Sequence, residues 1–170
     1  MGEPAMKSAK EIIDKILSDH DTIIENVRGT QRTASDKRII TELTADRDIN
    51  GAGPLFGGAE GLRDLLQQLS ARLNQHFNFE ETGLLYAIRE HGNNNISEAF
   101  SALFMEHEEL RNQFTCIKND AVALTNSGLS GEIKSAQLKD LRQRLIDAGN
   151  LLEVHAASED RLLKELRNRL

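Results

Sequence analysis

Four long stretches of this chain carry apolar residues at helical spacing, and in each of them a histidine interrupts the stripe. The first stripe runs through Ile13, Ile16, His20, Ile23, Ile24 and Val27. The second is Leu62, Leu66, Leu69, Leu73, His76, Glu80, Leu84 and Ile88. The third is Phe100, Leu103, Phe104, His107, Leu110, Phe114 and Ile117. The fourth is Leu138, Leu141, Leu145, Leu151, His155, Glu159, Leu162 and Leu166. Helices patterned in this way bury their stripes by packing on one another, so the histidines must go inside with the leucines.

The periodicity predicts helices over about residues 6–30, 58–91 and 96–126, and from near Ser135 to the C-terminus. Gly92 reads as a left-handed stop for the second helix. Asn95, with Glu98 three residues on, has the form of a capping box for the third. Short turns at 92–95 and 127–134 imply that the last three helices pack antiparallel as neighbours. Residues 31–57 are different. There "SDKRIITELTADRD" can form a short extra helix, whereas "INGAGPLFGG" reads as a loop. A connection of this length is unusual in a compact bundle, and is either a cover for something or an ornament. The expected fold is all-α: an up-down four-helix bundle with a long connection between the first two helices, formed by residues 1–170 as a single domain.

The composition narrows the setting. Helix formers dominate, and the only prolines are Pro4 and Pro54. The net charge of −6, with acids and bases interspersed, argues against a nucleic-acid binder, which would show a basic stripe. A single cysteine, Cys116, excludes an internal disulfide and fits a reducing compartment. The opening "MGEPAMKSAKEIIDK" lacks the apolar run of a signal peptide, and Met6 stands where a myristoylation signal needs Ser or Thr. No stretch approaches the ~20 apolar residues of a membrane span. The expectation is a soluble, cytoplasmic protein with no membrane or nucleic-acid partner.

The histidines fall at one depth. Measured from the turn near residue 93 at 1.5 Å per residue, His76 and His107 lie roughly 25 Å and 21 Å along their helices. From the turn near 131, His107 and His155 both lie roughly 36 Å away. Sliding the first helix brings His20 into the same layer, and Glu80 and Glu159 lie one turn beyond His76 and His155 on the inward face. The fifth histidine, His91, adjoins Gly92 at a helix end and reads as a cap and dipole partner, outside the cluster.

A lone histidine on an apolar face is usually an ordinary satisfied core residue. Six buried polar groups in one layer are not, because each left unpaired costs on the order of 1–3 kcal/mol against a total stability of about 5–15 kcal/mol. A metal centre supplies the missing positive partner. Six side chains can saturate one octahedral ion, but two opposed carboxylates suit a bridged pair better. Nitrogen and oxygen ligands without thiolate favour iron or manganese over structural zinc. The order His-x-x-x-Glu on two helices is not the Glu-x-x-His order of ferritin-like di-iron bundles.

The phrases "SDHDTI", "HFNFEE", "MEHEEL" and "HAASED", in this order on four helices, resemble the hemerythrin-like family of HHE cation-binding domains, over nearly the whole chain. The resemblance implies an up-down bundle holding two iron ions joined by an oxo or hydroxo bridge, with His20, His76, Glu80, His107, His155 and Glu159 as ligands. Within the chain, "SDHDTI" with "HFNFEE" resembles "MEHEEL" with "HAASED", so it reads as two helical hairpins of similar design, from which a two-fold pseudo-symmetric pair of metals follows. Oxygen carriers of the family have a second histidine four residues after the third-helix ligand; here that residue is Arg111. They also use an aspartate five residues after the fourth-helix histidine, which would be Asp160, although Glu159 matches the spacing of the second helix. The simplified ligand set is similar to that of the repair-of-iron-centres proteins, without their cysteine-bearing N-terminal domain.

Three functions compete. The first is a di-iron protein that binds or reduces a small oxidant (dioxygen, nitric oxide or peroxide) in stress response or sensing. The second is a protein that stores, donates or repairs iron, with the metal as cargo. The third is a bundle stapled by a structural metal, whose site should be coordinatively closed. About five ligands per iron, counting a solvent bridge, leave each one short of octahedral, which ranks the reactive reading first.

Overall fold

The computed structural model describes residues 7–44, 58–125 and 130–170. The elements are α1 (Ala9–Ala34), α2 (Lys37–Thr44), α3 (Ala59–His91), α4 (Asn94–Thr125) and α5 (Gly131–Arg167). Among the described residues there is no strand, and no helix is long and apolar enough to cross a membrane. Four long helices form a ring in which α1 packs on α3 and α5, and α4 packs on the same two. The residues that meet at one end are the start of α1 (Ile13, Ile16), the end of α3 (Leu84, Ile88), the start of α4 (Ile96, Phe100) and the end of α5 (Leu163, Leu166). The helices therefore alternate up and down, as the short turns require.

Several boundaries differ from the sequence reading. Helix α1 starts under a capping box in which Ser8 Oγ accepts from Glu11 N–H and Glu11 accepts from Ser8 N–H. It continues four residues past the expected end, since nothing before Ser35 breaks it. The short extra helix exists as α2, which packs chiefly on α5 and buries Ile39 at the end of the bundle opposite Phe100. Most of the stretch read as a loop, and residues 127–129 of the last turn, lie outside the described residues.

Gly92 does not adopt the expected left-handed conformation: its φ of −81° and ψ of 168° are extended. Glycine is needed there for space, because a Cβ would lie 2.5 Å from the carbonyl oxygen of Ile88, to which Gly92 N–H donates. The cap of α4 is Asn93, whose Oδ1 accepts from Ile96 N–H, so the expected Asn95 and Glu98 box is displaced by two residues. Helix α5 begins four residues early, because Ser130 caps it through Ile133 N–H.

The inward stripe of α5 also needs correction. Leu152 is buried while Leu151 is 37% exposed, and Leu163 is fully buried while Leu162 is only partly covered. Ala148 and Gly149 occupy inward positions that a search for large apolar residues skips. They are small because α1 comes close: a Cβ on Gly149 would lie 3.1 Å from Val27 Cγ1 and closer still to the Gln31 amide.

The core falls into two apolar clusters separated by a polar layer. The larger runs from Ile23, Leu73, Phe77, Leu110 and Leu152 toward α2, and the smaller is the Ile13 to Leu166 cluster at the other end. Between them lie His20, His76, Glu80, His107, His155 and Glu159, all buried.

Candidate metal centre

Each of the four long helices contributes inward polar groups where its stripe calls for Leu, and the ring of helices brings them to one depth. Glu80, His107 and Glu159 have no exposed surface, and His20, His76 and His155 are at most 5% exposed. All six residues expected to meet do so. His91 stays apart, as the last residue of α3.

Ligand-type atoms crowd the centre of the layer. Glu80 reaches two ways. Its Oε1 lies 3.0 Å from His20 Nε2 and 2.5 Å from His76 Nε2, while its Oε2 lies 3.1 Å from His107 Nε2. Glu159 Oε2 lies 3.2 Å from His155 Nε2 and 3.6 Å from His20 Nε2. His107 Nε2 and His155 Nε2 face each other at 3.1 Å. Two overlapping groups have the spacing of metal ligands: His20, His76 and Glu80; and Glu80, His107, His155 and Glu159. Glu80 belongs to both.

Of these approaches only His20 to Glu80 Oε1 and His107 to His155 are aligned as hydrogen bonds. Among the described residues, seven buried side-chain polar atoms lack a hydrogen-bond partner, and five are here: both ring nitrogens of His76, Glu80 Oε2, and both carboxylate oxygens of Glu159. His76 Nε2 and Glu80 Oε1 are within 2.5 Å yet not aligned as donor and acceptor. Buried polar atoms in native proteins are normally paired, so this concentration of exceptions fits a set of residues built to hold a cation.

The other ring nitrogens face outward to a second set of carboxylates. His20 Nδ1 lies 2.6 Å from Asp160, His107 Nδ1 2.9 Å from Glu81, and His155 Nδ1 2.8 Å from Glu106. His76 Nδ1 has Asp19 at 3.6 Å. An ionised carboxylate only accepts, so the three bonded Nδ1 atoms donate, and in the neutral tautomer each Nε2 then directs a lone pair inward. Each helix hands one acid to its neighbour in the ring: α1 to α3, α3 to α4, α4 to α5, and α5 back to α1. The sequence reading missed Asp19, Glu81 and Glu106 and kept Asp160 only as an alternative ligand, whereas here Asp160 turns outward and holds His20. A signal was present. Each outer acid is the immediate sequence neighbour of an inner group (Asp19 and His20, Glu80 and Glu81, Glu106 and His107, Glu159 and Asp160). One residue is about 100° of helix, enough to turn from the centre to the seam with the next helix.

Arg111, one turn beyond His107, donates to Glu81 at 2.9 Å and to Asn78 at 3.0 Å, and its guanidinium lies 5.4 Å from the centroid of the Phe77 ring. Phe77, also missed in the sequence, stacks on the His107 imidazole at 4.1 Å. A cavity of about 10 Å³ adjoins the centre, bounded by His20, His76 and His155 and walled by Ile23, Ile24, Phe77, Leu152 and Ala156.

Without metal, protons balance the charge. Burial alone would lower the pKa of His20, but Asp160 and Glu80 outweigh it and push it up to about 10. The same contest at His155, with Glu159 and Glu106 as partners, also ends above the ordinary value. Burial opposes ionisation of Glu80, yet the imidazoles of His107, His20 and His76 hold it well below the usual carboxylate range. Glu81 is likewise desolvated but lowered by Arg111 and His107. The centre is thus a set of anions and proton-binding nitrogens, where a cation competes with protons.

The hemerythrin HHE cation-binding domain profile matches residues 11–166. No protein of curated function and no solved structure matches the chain.

Proposed function

Because the chain belongs to the hemerythrin HHE cation-binding family, we propose that it is a non-haem di-iron protein that binds or reacts with a small oxidant: dioxygen, nitric oxide or peroxide. The observation that carries this reading is the pair of overlapping ligand groups that share Glu80. His20, His76, His107 and His155 would supply nitrogen to the two ions, with carboxylate oxygen from Glu80, which belongs to both ligand groups, and from Glu159, which belongs to one. The donor set, nitrogen and carboxylate oxygen without thiolate, suits iron or manganese. Two ferrous ions there would supply the electrons for reducing an oxidant and a coordination position for it.

The remaining work falls to the chain. Asp160, Glu81 and Glu106 hold three imidazoles in the tautomer that presents Nε2 inward. Phe77, Ile23, Ile24 and Leu152 wall a small cavity beside the centre, bounded by His20, His76 and His155. Arg111 remains protonated, so it cannot add a sixth ligand where oxygen carriers have a histidine. A reducing setting, favoured by the single cysteine Cys116, would keep the centre ferrous.

Stopped-flow absorbance tests this. Iron-loaded reduced protein mixed with dioxygen, nitric oxide or peroxide should change its spectrum within seconds and, with dioxygen, should not revert when the gas is removed. Reversal on removing dioxygen would make the protein a carrier. Inertness to all three oxidants would leave a structural metal, and rapid loss of both irons together to a mild chelator would identify the iron as cargo.

A further inference from the structure

The ring of outer carboxylates is unequal. Three acids sit within 2.9 Å of the imidazole they face, while Asp19 stands 3.6 Å from His76 Nδ1. The oxygen concerned is Asp19 Oδ2, which is bonded instead to Lys15 Nζ at 2.5 Å, one turn back on α1. Lys15 is itself held in place, with its ammonium 4.8 Å from the centroid of the Phe79 ring on α3. The corresponding acid of the second hairpin, Glu106, has Ala102 four residues before it and no such competitor on its own helix. Glu81 also has a cationic neighbour, Arg111, but its Oε1 lies 2.9 Å from both Arg111 and His107, so there the cation does not displace the imidazole. His76 Nδ1 is left without a hydrogen-bond partner.

Outer acids orient a ligating imidazole and raise its basicity, and losing one typically costs about 10–100-fold in metal affinity. Resting on the two-position reading above, we infer that Lys15 is a positioning residue: by withholding Asp19 from His76 it makes the metal position formed by His20, His76 and Glu80 the weaker and more exchangeable of the two. The position that includes His107, His155 and Glu159 has both its imidazoles held from outside and fills first.

Cobalt(II) titration under anaerobic conditions, followed by visible absorbance, reads the two steps separately. Wild-type protein should bind two ions in resolved steps. Lys15→Met keeps the stem over Phe79 and frees Asp19, and should tighten the second step by about tenfold with the first unchanged. Asp19→Ala should change the second step far less than Lys15→Met does, because Asp19 is already withheld, and Lys15→Met should have no effect in that background. This last comparison separates positioning from the simple removal of a positive charge, which raises affinity whether or not Asp19 is present. In the cobalt-loaded protein, the paramagnetically shifted Nδ1 proton of His76 should exchange fastest of the four in wild type and become protected in Lys15→Met. Equal tightening of both steps, or an undiminished Lys15→Met effect without Asp19, would overturn the inference. Wild-type protein that takes up fewer than two ions would defeat the two-position reading and this inference with it.

Discussion

The two halves of the bundle carry the same ligand phrase on very different connections. In α1 and α3 a histidine is followed by His-x-x-x-Glu across α2 and a long connection; in α4 and α5 the same order spans only residues 126–130 between the helices. The inner groups nevertheless meet at one depth, so helix register, not the connection, sets the centre. The halves differ in how their acids are used. Glu80 approaches three imidazoles and joins both ligand groups, whereas Glu159 approaches two and joins one. In the outer ring Glu106 holds His155, while Asp19 is drawn off to Lys15. A sequence repeat can be symmetric in its inner polar groups and asymmetric in what supports them.

The strongest test of this asymmetry removes one acid from each half. Glu80→Ala should abolish iron binding at both positions and strip the holo protein of its extra thermal stability, since removing one partner from a buried charged network costs about 3–5 kcal/mol. Glu159→Ala should leave close to one iron per chain. His91→Ala, away from the centre, should change neither iron content nor melting temperature. Equal losses from the two glutamate variants, read by metal analysis and calorimetry, would erase the distinction between the halves.

Much of this was legible in the sequence, for a physical reason. A histidine in place of Leu on an apolar stripe has nowhere to go but inward, so the six inner groups and the bundle followed from periodicity alone. What escaped detection followed other rules. The acids Asp19, Glu81 and Glu106 lie at seams between helices, where no apolar period marks them. Phe77 was overlooked because its neighbour His76 already claimed the inward position. Leu151 was chosen over Leu152 because the small residues Ala148 and Gly149 hid the true stripe. The cap at Asn93 and the extended Gly92 depended on turn geometry, which three successive asparagines leave ambiguous.

A smaller effect, in the metal-free protein, separates the two halves by pH. A histidine whose folded pKa is raised above 6.5 contributes stability that is fully present below that value and lost as pH climbs through the folded pKa, about 10 for His20. Glu80, held below 4.5, contributes stability that is present above that value and lost as pH falls. Urea unfolding of the metal-free protein should therefore show greatest stability between about pH 4.5 and 6.5, with a decline toward pH 10. Asp160→Asn, which removes the partner of His20, should flatten the alkaline decline. Glu106→Gln should flatten it less, because Glu106 is half exposed and water screens its pull on His155. An alkaline limb unchanged by Asp160→Asn would contradict the pairing of His20 across the α1 and α5 seam.

The most direct measurement is the iron content of protein loaded with ferrous salt under anaerobic conditions and freed of excess metal. The proposed two-position centre, with Glu80 shared, predicts a plateau at two irons per chain, with the second lost first on mild chelation. A plateau at one iron, unchanged by further loading and with both glutamates needed for it, would mean that the six groups enclose a single ion.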